Sequence, residues 1–147
     1  MSRVLLHICC GPCASYPVPA LREEGLEIVG YFFNPNIHPY NEWLQRRQGL
    51  ETYAAAVDLN VIYDDKYNTR DYFQRIAFRE SHRCLICYQM RLRQAAHIAK
   101  RGRFDYFSTT LLVSKHQKHE VIREVGEAIG ARSEEHTSEL QSRQSIS

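Results

Sequence analysis

The chain has 147 residues, 44% of them hydrophobic and 24% charged, with a formal net charge of +2. That length suits one domain able to bury a core without disulfides, and no apolar run approaches the ~20 residues of a membrane helix. The opening MSRVLLHICCGPC has a short apolar stretch broken at Gly11-Pro12 and no small-residue cleavage pattern, so a secretory leader is not expected and the reading is cytoplasmic.

In chain order, residues 3–9 read as a short buried strand and residues 26–33 as a second one. Between them Pro17 and Pro19 suit a first helical turn, and Gly25 suits its end. Strand, helix and strand make a βαβ unit, which implies a parallel sheet. Asn34-Pro35-Asn36 stops the second strand. A helix is expected from about Asn41 to Val57, carrying Leu50, Ala54 and Val57 at helical spacing, and then a third strand over Asn60 to Tyr63. Further helices are expected from Arg70 to Arg79 and around Leu85, Tyr88, Leu92, Ala95 and Ala99, which step by three and four to Gly102. Phe104 to Thr109 reads as a fourth strand. A last helix, Glu120 to Ile129, turns Val121, Ile122, Val125 and Ile129 inward and is closed by Gly130. Strands alternating with helices predict a single α/β domain over residues 1–132, with a Rossmann-like parallel sheet. Residues 133–147 have a Ser/Glu/Gln/Thr composition that reads as disordered. They also look like a foreign, artefactual tail on an incomplete domain.

Nine Lys/Arg stand against Asp71 and Glu80 between Arg70 and Arg103, a local excess of seven positive charges. This is either a solvated helix face or a surface for phosphates.

The five cysteines cluster as Cys9-Cys10-Gly11-Pro12-Cys13 and Cys84-Leu85-Ile86-Cys87. In a reducing compartment such clusters point to metal or redox chemistry rather than to structural disulfides. Cys9, Cys10 and Cys13 follow the first strand, where open α/β sheets place their ligands. Neighbouring strand side chains point to opposite faces, so Cys9 and Cys10 can share an object only if the backbone leaves strand geometry, which Gly11-Pro12 makes feasible. Cys84 and Cys87 lie on one face of a helix near its positive start. Four thiolates from two segments fit tetrahedral zinc or a [4Fe–4S] cluster. A zinc-stabilised nucleic-acid-binding module and a thiol oxidoreductase are therefore alternatives. The first loop is too poor in glycine, serine and aspartate for an ATP-binding loop, although the sheet resembles that of the nucleotide α-hydrolase (PP-loop) proteins.

Four motifs in order, Leu5–Cys13, Tyr31–Pro39, Arg83–Tyr88 and Ser108–Ser114, resemble those of the QueH-type epoxyqueuosine reductases, across about residues 4–130. The resemblance implies reduction of the epoxide of epoxyqueuosine to queuosine at the wobble position of tRNA. It implies a [4Fe–4S] cluster held by Cys9, Cys10, Cys84 and Cys87, with a further mononuclear iron beside it. It makes Cys13 the candidate for that iron and for the catalytic role, and it requires an electron donor. The family's C-terminal Cys-x-Cys pair has no counterpart in this sequence. Asn34, Asn36, His38, Thr109 and Thr110 are the candidate substrate contacts, with Ser114 nearby, although turn-making and capping account for several of them. Tyr40, Trp43 and Tyr88 suit either base stacking or the core. Arg79, Arg83, Arg91 and Arg93 are the candidate tRNA backbone contacts.

Overall fold

A computed structural model describes residues 2–64, 69–112 and 119–133. Four parallel strands form one sheet: β1 (Arg3–His7), β2 (Glu27–Phe32), β3 (Asn60–Tyr63) and β4 (Tyr106–Thr109), in the order β3-β2-β1-β4. Pairing is in register from Arg3 opposite Glu27 to His7 opposite Tyr31, and His7 also faces Thr109 of β4. The chain moves outward from β1 through β2 to β3 on one side and adds β4 on the other. The carboxyl end of β1 is therefore the point where strand order reverses, which is where such sheets open a crevice.

Alternation along β1 divides the core into two layers. Val4, Leu6 and Ile8 face α2 (Pro17–Glu23) and α3 (Tyr40–Val57), packing with Val18, Leu21, Trp43 and Leu50. Leu5 and Cys9 face α5 (Arg83–Arg101) and α6 (His119–Ser133), packing with Leu92, Ala95, Phe107, Ile122 and Val125. The predicted α/β layer with a parallel sheet is the observed one.

Boundaries differ in instructive ways. The first strand ends at His7, not Cys9, and a short helix, α1 (Gly11–Ala14), occupies the expected turn. Gly25, with φ +82, follows α2 as expected. Helix α4 spans Arg70–Ile76 and stops three residues early, because Ala77 turns extended with ψ 129 and Phe78 adopts φ +59. Gly102 caps α5 with φ −87, and the left-handed residue is Arg103. A β-carbon on Gly102 would lie 2.6 Å from the Phe104 ring, so the glycine is required there by packing. Gly130 does not close α6, which runs on to Ser133, a residue expected in the tail. A glycine inside a helix costs about 1 kcal/mol, which buried Ile122, Val125 and Ile129 offset. The expectations for residues 134–147 and for Ser114 lie outside the described residues. Among the described residues no helix is long and apolar enough to cross a membrane.

Candidate functional site

The first cysteine segment is built by abandoning the strand. Cys10 is extended (φ −167, ψ 165) and caps α1, whose first residues are Gly11 and Pro12. This break lets Cys9 and Cys10 turn toward one another despite being neighbours. Their sulfurs lie 3.9 Å apart, and those of Cys10 and Cys13 lie 3.1 Å apart. All three sulfurs fall within 4.8 Å of one another. Cys13 is thus closer to Cys10 than Cys9 is, and the geometry draws no line between two cysteines of one role and a third of another.

Cys84 and Cys87 fall outside this group of three. Cys84, at the start of α5, packs at the margin of the same apolar cluster as Cys9, Cys10 and Cys13. Cys87 is buried one turn on, with Tyr72 and Met90.

A buried polar frame ties the two segments together. Arg91, one turn beyond Cys87, donates from Nη2 to the Cys87 sulfur at 2.9 Å and from Nη1 to Asn34 Oδ1 at 3.2 Å. Asn34 Nδ2 in turn donates to the carbonyl of Ile8, the residue before Cys9, at 3.1 Å. Arg91 Nε is buried without a partner. The expectation that Arg91 contacts an RNA backbone is therefore corrected. Only 5% of it is exposed, because the inward face of α5 brings position 91 beneath Cys87. Asn34, expected in a substrate pocket, is likewise buried within this frame.

Thr109 and Thr110 are corrected in the same way, since both are buried and their hydroxyls are committed. The Thr110 hydroxyl accepts the Cys9 N–H at 3.2 Å and lies 3.5 Å from the Cys9 sulfur. Thr109 accepts the Leu111 N–H at 3.1 Å and bonds His7 Nδ1 at 3.0 Å. His7 Nε2 lies 3.0 Å from the Phe33 carbonyl, which can only accept, so Nε2 carries the proton and Nδ1 accepts from Thr109. Burial, with Arg91 adding to it, lowers the imidazole from 6.5 to about 4 and keeps it neutral.

Electrostatics separate the thiols. Hydrogen bonds from Cys10 and then Cys13 favour the Cys9 thiolate and lower its pKa. Cys13 is pushed up by its bonds to Cys10 and Cys9. Burial raises Cys87 against the opposing pull of Arg91. Three sulfurs in mutual contact, Cys9 with Cys10 and Cys10 with Cys13, form a soft donor set suited to a thiophilic cation.

The thiols open onto a cleft of about 640 Å³ lined by Cys9, Cys10, Cys13, Glu42, Gln45 and Arg46. Its far wall is α3, where Arg46 Nε and Glu42 Oε1 pair at 2.9 Å. Gly11 permits this approach, since a β-carbon there would lie 2.8 Å from the Gly49 carbonyl. Sequence reasoning missed Glu42, Gln45 and Arg46. Their i, i+4 charge pair was visible, but the face it occupies was not.

The remaining candidates lie nearer the surface. His38 is exposed and its ring meets Phe73 edge-on at 5.0 Å. Asn36 is half-buried, with an unpartnered Oδ1. Tyr40 is exposed and stacks on Trp43, whereas Trp43 and Tyr88 belong to the core. Arg79, Arg83 and Arg93 are exposed.

Fold and site together define a class: an α/β protein with a parallel sheet and a thiol cluster competent for metal at its switch point. The family model described as "Epoxyqueuosine reductase QueH" matches residues 4–144, and its match extends into the segment read above as a foreign tail. Relatives of that name include one from Dehalococcoides mccartyi, 36% identical over 80% of this chain and 65% of its own length. Those from Acinetobacter baylyi and Haemophilus influenzae are 33% and 34% identical over 84% and 78% of this chain, and over 59% and 48% of their own lengths. The chain belongs to the epoxyqueuosine reductase QueH family. It spans about half to two thirds of the length of these relatives.

Proposed function

We propose that this chain is the metal-binding part of an oxidoreductase that reduces epoxyqueuosine to queuosine in tRNA. The observation that carries the reading is the convergence of Cys9, Cys10 and Cys13 within 4.8 Å at the switch point of the sheet, in a chain of this family. The donor set fits an iron–sulfur group. It is made of soft sulfur ligands, and the unpartnered, buried guanidinium nitrogen of Arg91 lies beside Cys87, where thiolates would concentrate negative charge. Cys9, Cys10, Cys84 and Cys87 would hold a [4Fe–4S] cluster, with Cys13 assigned to a mononuclear iron and to catalysis.

Converting an epoxide to an alkene consumes two electrons and two protons and releases the oxygen as water. When bound, the iron–sulfur group supplies electrons one at a time, passed on from an external donor. The chain's own residues bind and orient the substrate. The cleft wall offers Glu42 as an acceptor and Arg46 and Gln45 as donors to a polyhydroxylated ring. Asn34, Thr109 and Thr110 hold the thiol loop rather than the substrate, and His7, neutral and doubly bonded, fixes the end of β4. Asn36 and His38 border the same edge and serve as outer contacts. Exposed Arg79, Arg83 and Arg93 grip the RNA backbone.

Anaerobic purification followed by iron, sulfide and zinc analysis tests the reading. A brown protein containing iron and sulfide, bleached by Cys9→Ala or Cys84→Ala, is expected. Cys13→Ala is expected to keep the colour and lose the reduction. A colourless protein holding zinc overturns the assignment in favour of a structural metal module, and a colourless metal-free dithiol favours a thiol oxidoreductase.

A further inference from the structure

The turn joining α4 to α5 carries a feature that neither the core nor the thiol site uses. Phe78 leaves 99% of its surface exposed. It does so with φ +59, a region that bulky L-residues rarely adopt. The turn is nevertheless tied down on both sides. The Ala77 N–H donates to the Phe73 carbonyl at 3.1 Å, the Arg79 N–H to Ile76 at 2.8 Å, and the His82 N–H to Arg79 at 2.8 Å. The backbone of the turn is therefore held, and it presents the ring to solvent.

Cations outnumber the exposed acids Asp71 and Glu80 in the surroundings. Arg75, Arg79 and Arg83 are all exposed around the turn. Arg79 Nη1 is braced on the Arg75 carbonyl at 3.3 Å, and Arg75 pairs with Asp71 at 3.0 Å. The turn is also anchored to the thiol-bearing helix, because Tyr72 of α4 packs against Cys87 and Met90 of α5, with Ile76 and Ile86 beside them. An exposed aromatic ring amid arginines fits the unpaired bases of an RNA loop, which stack on aromatic faces while cations hold the phosphates.

We infer that Phe78 is a stacking platform for an unpaired base of the RNA, set beside the thiol site by the α4–α5 pair and flanked by Arg75, Arg79 and Arg83. The inference rests on the proposed RNA substrate and adds to it a residue that contacts a base rather than the backbone.

The test uses the full chain and a synthetic anticodon stem–loop RNA with a fluorescent adenine analogue in its loop. Phe78→Ala is expected to weaken binding on the order of tenfold and to relieve quenching of the analogue, with the salt dependence unchanged. Phe78→Trp is expected to restore both. Arg79→Glu is expected to weaken binding and flatten the salt dependence while leaving the quenching at saturation. Because Phe78 has almost no packing contacts to lose, the alanine variant should keep its fold, checked by circular dichroism. Equal binding by Phe78→Ala and the parent overturns the inference, as does a Phe78→Trp variant no better than alanine. If Arg79→Glu still weakens binding in that case, the RNA reading survives without it. A parent chain that does not bind the stem–loop overturns both. A Phe78→Ala change that only abolishes self-association assigns the ring to a second copy of the chain and overturns the inference.

Discussion

Arg91 and Asn34 are joined by a buried hydrogen bond of 3.2 Å across 57 positions of sequence. Through it the Cys87 sulfur on α5 is linked to the Ile8 carbonyl at the end of β1. The two cysteine segments thus share one polar frame.

That frame predicts an ordering of stabilities. Asn34→Ala leaves both the Ile8 carbonyl and a buried guanidinium without this partner, at a cost of about 3 kcal/mol. Arg91→Met removes the buried charge together with its needs, so its cost should be smaller. Urea denaturation of the metal-free chain measures both, and an Arg91→Met variant less stable than Asn34→Ala contradicts the account.

Thr110 supports Cys9 through its hydroxyl rather than its methyl. Thr110→Val should cost about 1–3 kcal/mol by leaving the Cys9 N–H unpaired, whereas Thr110→Ser should retain most of the stability. Hydrogen exchange at the Cys9 amide should accelerate in the valine variant only. Equal protection in both variants argues against the bond.

His7 sets a pH dependence. Its folded pKa of about 4 lies below the unfolded value of 6.5. Below pH 6.5 the unfolded chain takes up a proton that the folded chain refuses, so stability falls as pH drops from about 6.5 to about 4 and is complete at neutral pH. The gap corresponds to about 3 kcal/mol. His7→Gln should lose this part of the acid slope, whatever its stability at pH 8. Parallel pH profiles for the two proteins would show that His7 does not titrate in this way.

Two glycines at one contact should behave oppositely. A β-carbon at Gly11 meets the Gly49 carbonyl, whereas one at Gly49 meets nothing within 4 Å. Gly11→Ala should cost about 1–3 kcal/mol by forcing α1 from α3. Gly49→Ala should add up to about 1 kcal/mol from helix propensity. Thermal melting of the two variants decides the signs.

Much of this was legible in the chain itself. The short apolar runs alternating with helical segments, and the helical spacing of Leu85, Tyr88, Leu92, Ala95 and Ala99, announced a parallel sheet with packed helices, because strand–helix–strand order allows only a crossover connection. The clustering of cysteines at the end of β1 was equally plain. The tertiary structure alone decided which polar residues face the site. Arg91 looks like its exposed neighbour Arg93 in sequence, yet two positions along a helix turn one side chain inward to Cys87 and the other to solvent. Thr109 and Thr110 resembled substrate contacts until strand pairing carried them beside His7 and Cys9. Glu42, Gln45 and Arg46 joined the cleft only because α3 packs against Gly11. Sequence determines which residues can bond. Burial and long-range pairing, set by how the layers close, determine which of them do.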